Sequence, residues 1–140
     1  MSLLIERTDD LDACLAIRFT VFVEEQSVPI EEERDQYDKS AIHILATFQG
    51  TPVGTARIVV VEDKGKIGRV AVLASHRGTG LGAKLIYACL NELRDQPNVT
   101  TAKLGSQTHA LGFYEKLGFV AHGPEFDDAG IPHRMMSLKL

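Results

Sequence analysis

Residues His76–Leu85 read HRGTGLGAKL. Glycines stand at 78, 80 and 82, behind Arg77 and ahead of a run of helix formers. Glycine loses more backbone freedom on folding than any other residue, so three of them at a helix start call for a reason. The first amides of a helix lack partners inside it and carry the positive end of its dipole. Positions without Cβ atoms let an anion approach those amides and let the chain turn tightly from strand to helix. Arg77 adds a forked cation suited to phosphate. The pattern alone leaves two readings open, a cradle for a diphosphate or a plain turn. Its spacing is G-x-G-x-G, neither the dinucleotide fingerprint G-x-G-x-x-G nor G-x-x-x-x-G-K-[ST].

Downstream of the loop, a helix carries Leu81, Leu85, Ala88 and Cys89 on one face, with Ile86, Leu90 and Leu93 beside it, and Pro97 and Asn98 close it. Upstream, AIHILATFQ, VGTARIVVVE and KIGRVAVL read as strands. Turns at Gly50–Pro52 and Asp63–Gly65 join them into an antiparallel meander. Before these, SLLIE reads as a strand, and Thr8 or Asp9 caps a helix running through about Phe22. Leu11, Cys14, Leu15, Arg18 and Phe22 share a face of that helix. Arg18 inside an apolar stripe either snorkels out at its edge or enters a pocket.

Beyond the central helix, TTAKLGS reads as a strand and THALGFYEKL as a helix stopped by Gly118. GFVAHG and HRMMSLKL follow as two last strands around the turn DDAGIP. The order β-α-(loop/α)-β-β-β-α-β-α-β-β makes this an α+β chain with a central mixed twisted sheet of about six to seven strands flanked by helices. One βαβ unit surrounds the glycine loop, and residues 1–140 form a single domain.

The chain has 140 residues, 44% hydrophobic and 24% charged, enough for a packed core. A formal net charge of −4 argues against a nucleic-acid binder while leaving room for a local basic pocket. Cys14 and Cys89 lie in apolar helical patterns and read as buried thiols. His76, His109 and His122 do not form metal spacing, and no metal is expected. The N-terminus lacks a basic start and a long apolar run, and no segment approaches the roughly 20 apolar residues of a membrane span. A cytoplasmic protein without a membrane partner is the expectation. The stretch EEQSVPIEEERDQYDKS holds seven acidic residues. It is either a solvated face or the acidic rim of a site for a cationic substrate.

The string RVAVLASHRGTGLGAKLI, followed by FYEKLGF, resembles the GNAT superfamily of N-acetyltransferases. VFVEEQSVP, LGSQTHALGFYEKLGF and DDAGIPH are similar to its ElaA/YjcF branch. The likeness covers nearly the whole chain. It implies the acyl-CoA N-acyltransferase fold and acetyl-CoA as co-substrate, lying where two parallel strands splay. The diphosphate would then sit on the amides of Gly78, Thr79, Gly80, Leu81, Gly82 and Ala83 beside Arg77. The pantetheine arm would run along Val70, Ala71 and Val72, with Gly68 supplying the bulge that opens that edge. Gln107 falls where the superfamily often has an asparagine contacting the cofactor, and Phe113 lies near the sulfur.

The implied reaction is attack on the thioester by a primary amine of a small molecule or peptide, with amides near Val72 facing the oxyanion. Tyr114 shares a helical stripe with Ala110 and Leu117. It is either a core residue or, as the resemblance favours, the acid that protonates the departing thiolate. The acceptor side draws on Arg18, Glu25, His43, Arg69 and His133. Arg69 alternates with Ile67 and Ala71, which points it to the covered face of the sheet. The base stays open among Glu25, Glu33, Asp35, His43, His133 and a chain of waters; His43 in AIHILA also reads as a core histidine. Two rival functions remain at this level, a non-catalytic acyl-CoA sensor and a general phosphate-ligand binder. An exposed edge of the terminal strands allows a homodimer.

Overall fold

A computed structural model of the chain describes residues 2–140. β1 (Leu3–Thr8) leads into α1 (Leu11–Arg18), which winds on as a π-helical segment over Phe19–Glu25. The cap is Asp10, whose carboxylate accepts from the Ala13 amide at 3.1 Å, rather than Thr8 or Asp9, and the helix runs past Phe22. Thr8 instead accepts from the Asp10 amide at 3.1 Å. A four-residue helix α2 (Ile30–Glu33) follows Pro29. Then come β2 (Ile42–Phe48), β3 (Thr51–Val61) and β4 (Lys64–Val72). α3 (Leu81–Arg94), β5 (Thr101–Gln107), α4 (Leu111–Lys116), β6 (Val120–Asp128) and β7 (Ile131–Lys139) complete the chain.

The strands form one sheet in the order β1-β2-β3-β4-β5-β7-β6. Every neighbouring pair is antiparallel except β4 and β5. The hairpin turns are tighter than the sequence suggests. Phe48 pairs with Thr51 and Val61 with Lys64, so the loops are Gln49–Gly50 and Glu62–Asp63. Gln49 and Gly50 both have positive φ (52° and 81°), the twist that matches a right-handed ribbon. Thr51, Pro52, Lys64 and Gly65 are already strand.

α3 and α4 pack on one face of the sheet and α1 on the other. Ile42, Ile44, Ile58, Ile67, Ala102, Leu104 and Met136 pack with Leu85, Ile86, Cys89, Leu90 and Leu93 of α3. Leu45 and Ala71 face the other way, against Cys14, Ile17 and Val21. Fully burying one leucine or isoleucine contributes about 1.5–3 kcal/mol, so the α3 stripe is a main source of stability. A Cβ at Gly65 would run into Leu93, which is why β4 begins with a glycine under α3.

Candidate functional site

β4 and β5 pair only from Lys64 to Lys66 against Thr101 to Lys103. Above that register they part. On its other side β4 is bulged: Thr55 opposes Ala71 and Arg57 opposes Gly68, which leaves Arg69 and Val70 outside the ladder. The left-handed residue of the bulge is Arg69 (φ 51°), not Gly68, which corrects the expectation for Gly68. The extra residue also breaks the strand's alternation. Ile67 belongs to the α3 core and Ala71 to the α1 core, so Arg69 does not share one face with both.

The parted strands open a cleft of about 350 Å³ that passes between the two faces of the sheet. Ile67, Val70, Leu104 and Tyr114 line its α3 side. Phe22, Gln26, Glu32, Glu33, Lys66, Gly68, Arg69, Gly105 and the β6–β7 hairpin line the rest. Gly68 and Gly105, one on each strand, keep its middle open: a Cβ on Gly68 meets nothing within 4 Å, and one on Gly105 reaches Phe126 at 3.4 Å.

At the start of α3, Gly78 and Gly80 have φ of 77° and 85°, conformations that favour glycine, and a Cβ on either would enter open space. Among the described residues the backbone amides from Gly78 to Ala83 find no acceptor, and no side chain caps the helix. The Thr79 hydroxyl donates to the His76 carbonyl at 2.6 Å, tightening the turn. Leu81 puts its side chain in the core, so only its amide faces the loop. Phe113, half-exposed, reaches within 3.5 Å of where a Gly82 Cβ would stand. Arg77 is not free at this cradle. Its Nε donates to the Val72 carbonyl at 2.9 Å and its Nη2 to Glu25.

The remaining expected residues separate. Val70, Arg69, Gln107, Tyr114 and His133 line the cleft. Val72 and Ala71 do not; the cleft meets β4 at Val70, two residues below the position expected to face the oxyanion. Glu25 is held by Arg77 at the glycine loop and lies off the cleft. His43 is buried beside α1, its Nε2 donating to the Asp38 carbonyl at 2.8 Å, and is a core histidine.

Arg18 neither snorkels nor enters the cleft. It is 1% exposed, donating to Glu33 Oε2 (2.7 Å) and Asp38 Oδ1 (2.7 Å) and to the Glu33 carbonyl (2.9 Å). Its apolar neighbours make solvent unreachable, and two buried carboxylates supply the charge it needs. Asp38 also meets Arg57 Nη1 at 3.0 Å. Burial alone would raise the Asp38 pKa, but the bonds from Arg18 outweigh it and, with Arg57, hold it at about 2. Arg57 Nη1 reaches Asp35 at 2.6 Å, and Arg69 binds Glu33 Oε2 (3.3 Å) and Asp35 Oδ2 (3.2 Å). Three arginines thus neutralise three of the acidic stretch's carboxylates.

Tyr114 and His133, both in the cleft, keep free polar atoms. Tyr114 packs edge-on against Phe113 and Phe119 at 4.9 and 6.2 Å, and burial lifts its pKa above the usual value of about 10. The phenol therefore stays protonated at neutral pH, and its oxygen makes no hydrogen bond among the described residues. His133 stacks on Phe126 at 5.7 Å, and its Nδ1 donates to the Ile131 carbonyl at 2.7 Å. In the neutral tautomer that this bond selects, the lone pair is on Nε2. Gln107 donates through Nε2 to Gln26 at 3.2 Å and accepts from His109 at 2.6 Å, clasping β5 to the α1 extension.

Several lining residues escape the sequence reading. Phe22 and Gln26 are one helical turn apart, a spacing that places both on one face. Lys66, Phe126 and Met135 give no local signal, because only the pairing of β4, β5, β6 and β7 brings them together. No helix among the described residues is long and apolar enough to cross a membrane.

Comparison with known proteins matches residues 10–140 to an acetyltransferase (GNAT) domain. YjcF of Bacillus subtilis, described as an uncharacterised N-acetyltransferase, is 38% identical over 129 residues, 91% of each chain. The crystal structure of ElaA from Escherichia coli superposes with a TM-score of 0.85 at 28% identity, over 97% of each chain. A GNAT acetyltransferase from Elizabethkingia anophelis, solved with acetyl-CoA bound, shares the fold at 16% identity (TM-score 0.77, 99% of each chain). The chain belongs to the GNAT acetyltransferase family, in its ElaA/YjcF-like branch, and is an N-acetyltransferase.

Proposed function

We propose that the protein moves the acetyl group of acetyl-CoA to a primary amine that enters the cleft, by direct attack on the thioester. The observation that carries this reading is the fork of β4 and β5. Its cleft holds Tyr114 and His133, in a chain whose α3 begins with unpaired amides. The residues present fit acetyl-CoA: a Cβ at Gly78 or Gly80 would occupy the space its diphosphate needs, and neither position has one. Bound there, acetyl-CoA supplies an activated acetyl thioester. The amides of Gly78–Ala83 hold its diphosphate, while Arg69 and Val70, outside the ladder, offer backbone groups to the acyl end. His133 Nε2 takes the proton from the attacking amine, and Tyr114 gives one to the departing thiolate. The short list of bases contracts to His133 and Glu33. Glu33 Oε2 is already engaged by Arg18 and Arg69, whereas His133 has a free lone pair.

Thiol release from acetyl-CoA is the test, measured with a panel of amines. His133→Asn keeps a donor near the position of Nδ1 but has no basic nitrogen. It should lower kcat/KM about 100-fold and leave the affinity for acetyl-CoA unchanged. Binding of CoA without thiol release on any amine would favour a sensor. Preference for ATP over CoA in thermal shift would overturn both acyl-CoA readings and favour a general phosphate-ligand binder.

A further inference from the structure

The acidic stretch on the cleft's wall suggests an acceptor of positive charge, and the ion pairs remove that argument. Glu33, Asp35 and Asp38 are matched by Arg18, Arg57 and Arg69. The lining keeps three charged groups outside any ion pair: Glu32, Asp128 and Lys66. Lys66 stands at the crotch of the fork, the last residue of β4 still paired with β5, directly beside Lys103. Gly65 and Ile67 on either side of it face α3, so Lys66 points into the opposite half of the cleft. Its ammonium makes no hydrogen bond or ion pair among the described residues. The charges acting most strongly on it are Lys103, Arg69 and Arg57, opposed by Asp128. Arg69 and Arg57 already have partners, so the free charges beside Lys66 are those of Lys103 and Asp128, with Glu32 elsewhere in the lining. Lys66 is exposed to the cleft, and partial desolvation and Lys103 both lower its pKa, so an anion beside it offsets the neighbouring positive charge.

We propose that Lys66 is an anion-binding residue of the acceptor site, and that the acceptor is a small primary amine bearing a carboxylate or similar anion far from its nitrogen. The proposal rests on the N-acetyltransferase reading above. Chain geometry sets the separation. From Lys66 to Val70 is four residue steps, at most about 13 Å because the bulge at Arg69 shortens the run, and the lysine arm reaches over up to about 6 Å of it. The anion therefore lies roughly 7–13 Å from the reacting nitrogen. The cleft wall also offers Phe126 and Met135, which suit a hydrocarbon connection.

The test compares ω-amino acids with n-alkylamines of equal length, from about three to eight carbons. Thiol release gives kcat/KM, and calorimetry on enzyme saturated with free CoA, which cannot transfer, gives Kd. For six to eight carbons the amino acid should exceed its alkylamine about tenfold or more in either measure, and three-carbon pairs should differ little. Lys66→Met should bring the long-chain ratio to about one, and Lys66→Arg should preserve it; unchanged CoA affinity certifies the fold of both. Equal behaviour of the long pairs, or a ratio that survives Lys66→Met, overturns the proposal. Acetylation of alkylamines as fast as amino acids sinks this inference while upholding the N-acetyltransferase reading. Selective binding of long amino acids without acetylation does the reverse.

Discussion

Arg18→Met removes one cation from a buried set of three cations and three carboxylates. Methionine fills much of the same volume, so the effect isolates charge from packing. Breaking a buried pair from one side costs about 3–5 kcal/mol, because the partner's charge is left uncompensated. Here Glu33 retains Arg69 at 3.3 Å and Asp38 retains Arg57 at 3.0 Å, which sets the expectation at the low end, about 3 kcal/mol. The Asp38 pKa gives a second scale. Its depression from 3.8 to about 2 corresponds to about 2 kcal/mol at neutral pH, with Arg18 the leading favourable cause. Urea unfolding at pH 7 should show a midpoint lower by roughly 1–3 M. The pH dependence has a definite sign. A depressed carboxylate stabilises the fold above its unfolded pKa, and that stabilisation is lost as pH falls from about 4 through about 2. Without Arg18, Asp38 protonates at higher pH, so the gap between variant and parent narrows from pH 7 to pH 3. A midpoint shift below about 0.5 M at neutral pH, or a gap as wide at pH 3 as at pH 7, would refute the reasoning.

Two further substitutions separate cradle from chemistry. Gly80→Val forces a branched residue into φ 85° and sets a side chain where the diphosphate approaches. It should cost about 1–2 kcal/mol of stability and raise the Kd for acetyl-CoA more than tenfold by calorimetry; a folded variant of unchanged affinity counts against the cradle. Tyr114→Phe should lower kcat about 100-fold in the thiol-release assay, leave the KM for acetyl-CoA in place, and abolish the fall in activity the parent shows only above about pH 10. An unaltered kcat removes Tyr114 from the mechanism.

What could be read from the sequence was what neighbouring residues decide. Helical spacing marks the α3 stripe, Gly118 ends α4 with a φ of 102°, and Gly78 and Gly80 mark the left-handed turn that opens α3. Hairpin turns came out a residue or two late, because Gln49 and Glu62 take the left-handed conformation usually left to glycine or asparagine. Arg18, Glu25 and His43 were misplaced for a different reason. Their partners, Glu33 and Asp38 for Arg18, Arg77 for Glu25 and the Asp38 carbonyl for His43, lie on other elements. A side chain's charge says that it needs a partner but not where the fold puts one.

The bulge at Arg69 shows how far this non-local control reaches. A left-handed arginine costs about 1 kcal/mol or more and persists only where surrounding contacts over-determine it. Here its guanidinium donates to the carbonyls of Glu32 (3.3 Å) and Glu33 (3.0 Å), the last two residues of α2. A four-residue helix has almost no internal bonds to hold it, so these donors serve it as a C-terminal cap. The same contacts thus fix this wall of the cleft and keep β4 out of register with β3, where Arg69 and Val70 leave the ladder. The shape of the cleft wall and the exposure of the backbone at Arg69 and Val70 are therefore coupled through one side chain. Gly68 does not carry the bulge: it supplies room, and Arg69 supplies the bend.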